Sequence, residues 1–150
     1  MLDSTPRRES HAVGDVLRRQ HLLRDSAAGF PGLLLHVAHL GGVVPYMAER
    51  MDRAYRAYAE VRERVHRPPS AILRDHCYLD TVLVEPSAIR FAAGLFGTDR
   101  LLLGSDYPHQ VGDLPGAIPA VENADLGATA NEAIFSGNAR GLYRLARPAG

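Results

Sequence analysis

Three apolar runs, each followed by a stretch with helical spacing, constrain this chain more than any other feature. The runs are "LLLHVAHL" (33–40), "HCYLDTV" (76–82) and the apolar part of "DRLLLGSDYP" (99–108). Short aliphatic runs with little polar alternation suit strands buried on both faces, as in parallel sheets. After the first run, "VVPYMAERMDRAYRAYAEVRERV" carries apolar or aromatic residues at 47, 51, 54, 55, 58, 61 and 65 with charges between them, which is the spacing of one amphipathic helix. Pro68-Pro69 stops that helix, and Ser70 is placed to cap a short turn through "SAILRD". A second helix begins near Glu85-Pro86-Ser87 and ends at Gly97. The third run leads into a Gly- and Pro-rich loop, 110–119, and then the helical "ATANEAIFSGNARGLYRL", expected to break or kink around Ser136-Gly137. Strand and helix alternating three times predict an α/β fold of parallel βαβ units.

A parallel sheet of three strands is small for a free-standing domain, because each strand expects neighbours and a helical cover. The chain therefore reads as part of a larger architecture. At 150 residues and 46% hydrophobic composition, it is long enough for one domain with a real core. Residues 1–29 are poorly patterned, so the domain is expected to occupy 30–150. Lys plus Arg and Asp plus Glu both number 17. That balance gives no net field to draw the chain to nucleic acid or an anionic membrane, and it points to a small-molecule partner. A single cysteine, Cys77, excludes an internal disulfide, and "MLDSTPRRES" lacks the apolar centre of a secretory signal. No apolar run approaches the roughly 18 residues of a membrane span. These features predict a soluble, cytoplasmic protein.

In α/β folds, ligands gather where parallel strands end. The three strands end in "HVAHLGG", "YLDT" and "GSDYPH". His36 and His39, three apart, point to opposite faces if both lie in a strand, so only one can line a given pocket. Gly41-Gly42 just beyond favours His39, since glycines allow a ligand or backbone to approach closely. Asp106 reads equally as a turn aspartate before Tyr107-Pro108 and as a carboxylate suited to a divalent metal or to the proton of metal-bound water. Asp80 has the same two readings, with a structural role favoured. Arg50, in "AERMDR", reads from spacing alone as a solvated helix charge. His11, His21 and His66 read as surface residues.

Taken together and in order, "AHLGGVVPYMAERMDR", "PPSAILRDHCYLDTV", "FGTDRLLLGSDYPH" and "IFSGNARGLYRL" resemble the carboxyl-terminal half of the metal-dependent amidohydrolase family. The likeness is to the branch that includes aminocarboxymuconate-semialdehyde decarboxylase and gamma-resorcylate decarboxylase, and it runs from about Leu33 to Leu145. It implies a partial (βα)8 TIM barrel made of about the last three βα units, with 30–150 as the carboxyl-terminal half. It also implies that His39 of "H-x-G-G" acts as acid or base, and that Asp106 of "G-S-D-Y-P" is a metal ligand at the catalytic centre. Arg50, eleven positions after His39, would reach a neighbouring subunit's site and hold a substrate carboxylate. The expected cofactor is a divalent metal, zinc or manganese. The expected activity is decarboxylation or hydrolysis of a small carboxylated substrate.

The departures from that pattern are equally specific. The family's first strand carries an H-x-H pair of ligands and a middle strand another histidine, but this chain has no H-x-H. Of the usual ligands only Asp106 is left, and zinc normally takes three protein ligands. No family pattern makes His36, His76 or His109 a companion ligand. Two expectations follow: an enzyme whose remaining half-site comes from a missing amino-terminal half or a homo-oligomer, or a non-catalytic truncated half-barrel that self-associates to cover its strand edges.

Overall fold

The computed structural model describes residues 32–82 and 85–146. Segment 1–29, with His11 and His21, lies outside the described residues. Three parallel strands form one sheet in chain order: β1 (Leu35–Val37), β2 (Cys77–Asp80) and β3 (Leu101–Leu102). Leu35 pairs with Cys77 and Val37 with Leu79, while Leu79 pairs with Leu101 and Asp80 with Leu102. The central strand and β3 are both deeply set, with Cys77 and Leu79 each 1% exposed, Leu101 0% and Leu102 2%.

The strands are shorter than the apolar runs predict, and the backbone hydrogen bonds say why. After Val37 the chain turns into a short 3-10 segment, His39–Gly41, with no room for a longer β1. Beyond Leu102, the Leu103 amide donates not to a strand but to the Ile134 carbonyl, at 3.0 Å. That carbonyl belongs to a π-helical stretch, Ala133–Gly137, which lies between helices α6 (Ala128–Glu132) and α7 (Asn138–Tyr143). The Asn138 amide bonds back to Ala133, and its side-chain amide donates to the Thr98 and Leu101 carbonyls at 2.8 and 2.7 Å. The irregularity expected around Ser136-Gly137 is therefore a π-bulge that ties the last helix to β3.

The long helix expected after β1 is interrupted. Helix α1 (Val44–Ala57) and helix α2 (Ala59–Arg64) meet at Tyr58, whose backbone is extended (φ −113°, ψ 122°). The guanidinium of Arg62 donates to the carbonyls of Tyr55 and Arg56 at 3.1 and 2.6 Å. Two acceptors left open by the end of α1 are thus satisfied by a side chain, a substitute for the missing helical bonds. Helix α3 (Pro69–His76) follows and runs directly into β2. Ser70 lies inside its first turn, and the cap comes from α1: Asp52 accepts the Ser70 amide at 3.0 Å and its hydroxyl at 2.6 Å. Asp52→Ala is expected to lower stability by about 1 kcal/mol, with Asp52→Asn losing less because it keeps an acceptor. Urea unfolding of the two variants checks this, and equal losses would argue against a capping role.

Helix α4 (Pro86–Phe96) buries Ile89, Ala92, Ala93 and Phe96, a single stripe at helical spacing. Its amino end is capped by Glu85, whose carboxylate accepts the Ser87 amide at 3.0 Å and is thereby held below the usual carboxylate range. Helix α5 (Ala117–Asn123), which the Gly- and Pro-rich composition of 110–119 conceals, buries Ala117, Ala120 and Val121. It packs against α4, and Arg90 of α4 donates to the Ala124 carbonyl just past its end, at 2.8 Å. Small residues at these positions let the helices approach closely. No helix among the described residues is long and apolar enough to cross a membrane.

Burial pushes the Cys77 thiol up to about 11, against a weaker opposing pull from Arg100. The thiol is expected to resist alkylation at pH 8 in the folded chain and to react once urea unfolds it. An acid whose folded pKa is raised stays protonated in the native state while the unfolded chain ionises. This contribution to stability is therefore complete below the ordinary thiol range and is lost as pH rises towards about 11. Unfolding midpoints for the chain and Cys77→Ala between pH 8 and 11 test the sign. A cysteine-specific loss that grows towards low pH would contradict it.

Candidate active site at the strand ends

All three strands deliver polar side chains at their carboxyl ends. Beyond β1 the backbone makes a tight left-handed turn: φ is 57° at His39, 54° at Leu40, 75° at Gly41 and 58° at Gly42. Glycine accepts such angles freely, whereas a bulky residue such as Leu40 does so only when its surroundings hold it there. Hydrogen bonds from the Gly41 amide to Ala38 (3.1 Å) and the Gly42 amide to His39 (2.8 Å) close the turn. Packing is tight at Gly41 as well, because a Cβ there would lie 3.0 Å from Leu79 Cδ2. His39 therefore stands outside the strand, and the opposite-face relation expected for His36 and His39 does not apply. The physical reason is the run of positive φ angles, which ends strand geometry before His39.

Beyond β3, Asp106 also has a left-handed backbone (φ 59°). It starts a compact loop in which the His109 amide donates to the Asp106 carbonyl (2.7 Å), Gly112 to His109 (3.0 Å) and Asp113 to Ser105 (2.9 Å). Gly104, just before, lies so close to β2 that a Cβ would sit 3.0 Å from Asp80 Cβ. The two left-handed turns bring His39 and Asp106 together across the end of β2: His39 Nε2 lies 4.0 Å from Asp106 Oδ1, with the side chains 62% and 24% exposed. That separation is too long for a hydrogen bond. Both groups thus face a shared, accessible space with their hydrogen-bonding capacity unspent on each other.

The end of β2 supplies Asp80, 5% exposed. Its Oδ1 accepts the amides of Leu40 and Val82, each at 3.2 Å, and its Oδ2 lies 3.4 Å from His36 Nε2. His36 Nδ1 is 2.8 Å from the Tyr143 hydroxyl. The favoured structural reading of Asp80 agrees with these bonds. Its partnership with His36 and Tyr143 is a grouping that the sequence does not signal, since Tyr143 lies 107 positions from His36.

The other candidates are dispersed. Arg50 is exposed on α1, and no hydrogen bond or ion pair among the described residues engages it, while neighbouring Glu49 takes both Arg53 and Arg56. Those arginines hold the Glu49 carboxyl below its usual range. His66 and His109 are exposed, and His76 ends α3. Among the described residues, no group of three His, Cys, Asp or Glu side chains is arranged to hold a metal ion. His36, His76 and His109 do not complete a metal site around Asp106.

The Amidohydrolase family profile matches residues 16–145, and the chain belongs to that family. It is 27% identical over 111 residues to 2-amino-3-carboxymuconate-6-semialdehyde decarboxylase of Dictyostelium discoideum, an alignment covering 73% of this chain and 30% of that protein. Its fold superposes on 5-carboxyvanillate decarboxylase LigW from Sphingomonas paucimobilis with a TM-score of 0.75 at 18% identity, covering 88% of this chain and 40% of that one. A dihydroxybenzoic acid decarboxylase from Polaromonas sp. JS666, solved with bound manganese and the inhibitor 2-nitroresorcinol, gives a TM-score of 0.73 at 23% identity and covers 84% and 38%. The chain thus spans well under half the length of these relatives.

Proposed function

We propose that this chain supplies the acid–base part of an active site that decarboxylates a small carboxylated substrate in the cytoplasm. In this reading its three strands are about the last three of a (βα)8 barrel, with 30–150 as the carboxyl-terminal half. The observation that carries the reading is the convergence of His39 and Asp106, both held by left-handed backbone at the ends of different strands. The decarboxylases among its relatives favour loss of carbon dioxide over hydrolysis.

Decarboxylation leaves the electrons of the broken C–C bond on the substrate, which must then take up a proton. His39 is placed to give that proton from Nε2, which is open to the shared space. Asp106 lines the same space and supplies a negative charge opposite the imidazole. Arg50, exposed and without an ion-pair partner among the described residues, is suited to hold a substrate carboxylate by a two-pronged contact, and on α1 it would serve the site of a neighbouring copy in a homo-oligomer.

A divalent cation does not fit the described residues by themselves. Asp106 is one donor, and a catalytic zinc takes three protein ligands, while manganese prefers an oxygen-rich set. Any such ion would need donors from outside the described residues, such as a missing amino-terminal half.

The test is carbon dioxide release from a carboxylated phenol by the chain supplied with manganese. His39→Asn is expected to slow release by about a hundredfold or more, and Arg50→Ala to raise KM more than it lowers kcat. Release that persists undiminished in His39→Asn would overturn the role given to His39. No release from the unaltered chain, together with an oligomeric mass by light scattering, would favour the second reading, a non-catalytic half-barrel that self-associates. That reading draws on β1 and β3, each paired on one side only among the described residues. A monomeric mass by light scattering would sink it.

A further inference from the structure

Asp80 has no part in the proton transfer, yet it is a buried carboxylate placed directly beneath the residue that does. Its Oδ1 gathers amides from two different strand ends, Leu40 after β1 and Val82 after β2. The Leu40 amide is the telling one, because Leu40 follows His39 and both have left-handed backbone. Two consecutive non-glycine residues in that region each carry strain that something nearby must offset. The turn's own bonds leave from Gly41 and Gly42, so the Asp80 contact is what fixes the Leu40 peptide.

Asp80 is in turn held from behind. His36 Nε2 faces Asp80 Oδ2 across 3.4 Å, and its Nδ1 lies 2.8 Å from the Tyr143 hydroxyl; a ring proton on Nε2, turned to the carboxylate, leaves Nδ1 to accept from that hydroxyl. A chain of groups therefore runs from the last helix, through β1 and β2, to the peptide that sets the direction of His39. We infer that Asp80, steadied by His36 and Tyr143, is a positioning residue that locks the His39–Leu40 turn so that the imidazole meets Asp106. The functional importance of this lock rests on the proposed role of His39, but the lock itself is a property of the chain.

Amide hydrogen exchange read by NMR tests the lock without any assay of turnover. In Asp80→Ala, exchange at Leu40 is expected to accelerate at least tenfold more than exchange at amides in the middle of α4, which report global opening. Asp80→Asn keeps an oxygen acceptor for Leu40, and its NH2 can donate to His36 once that ring changes tautomer, so protection at Leu40 should return to within about threefold of the unaltered chain. Tyr143→Phe should produce a smaller, selective acceleration at Leu40. Uniform acceleration across the chain in Asp80→Ala, or an Asp80→Asn variant with Leu40 as unprotected as in Asp80→Ala, would overturn the inference. If Asp80→Ala does not fold, the Asp80→Asn and Tyr143→Phe comparison decides: Leu40 protection unchanged in Tyr143→Phe and lost in Asp80→Asn rejects it. Failure of the decarboxylase reading looks different, since it leaves the exchange pattern intact and shows itself in carbon dioxide release alone.

Discussion

Gly112→Ala is expected to open the loop that carries Asp106 and to pull that carboxylate away from His39. A Cβ at Gly112 would lie 2.7 Å from the carbonyl oxygens of both Ser105 and Asp106. Those are backbone atoms, which cannot swing aside as the end of a flexible side chain can. The loop would have to break its Asp113 to Ser105 hydrogen bond, and with it the closure that fixes the left-handed conformation at Asp106. Relieving such a clash costs about 1–3 kcal/mol, and most of the disturbance falls on 105–113 because the loop lies outside the sheet. Denaturant unfolding together with amide chemical shifts checks both halves of this expectation. Unchanged stability with unchanged shifts at Asp106 and Asp113 would show that the loop tolerates a side chain here.

A larger effect on stability is expected from Leu79→Ala, on the order of 2–5 kcal/mol. Leu79 is 1% exposed in the central strand, paired with Val37 on one side and Leu101 on the other. Its two methyl carbons lie where a Cβ on Gly41 would meet them, at 3.0 and 3.5 Å. Truncation therefore leaves a cavity under the His39 turn as well as in the core. Against the roughly 5–15 kcal/mol that separates folded from unfolded states in single domains, a loss of that size takes a large share. Guanidinium unfolding of Leu79→Ala and of the milder Leu79→Val measures it, and a loss below about 1 kcal/mol for alanine would mean that the site collapses and refills.

How much of this was legible in the sequence depends on how local each cause is. The parallel order of three strands and the helices between them follows from apolar runs and helical spacing, which are local. His39 and Asp106 are candidates on the strength of short motifs, and the structure places their side chains 4.0 Å apart. The break at Tyr58 was hidden because its enabling partner is the Arg62 guanidinium, and periodicity carries no information about a side chain that replaces helical hydrogen bonds. Helix α5 was concealed by Gly112, Pro115, Gly116 and Pro119, although a proline in a first helical turn is well tolerated. The brevity of β3 depends on a carbonyl from a helix more than thirty residues away. The grouping of His36, Asp80 and Tyr143 is the most remote of all, since three unremarkable positions become a network only once the last helix packs on the sheet.

The pairing of the strands also carries a consequence for the order in which the fold assembles. β1 joins β2 by pairing Leu35 with Cys77, whereas β2 joins β3 by pairing Leu79 with Leu101, so the first crossover is about twice as long as the second. Closing a loop of doubled length costs about 0.6 kcal/mol more in chain entropy. The β2–α4–β3 unit is thus the cheaper one to close and the natural nucleus, with β1 and the His39 turn added onto it afterwards. The His39 turn then docks after that unit, on a template whose Asp80 is already in place to receive the Leu40 amide.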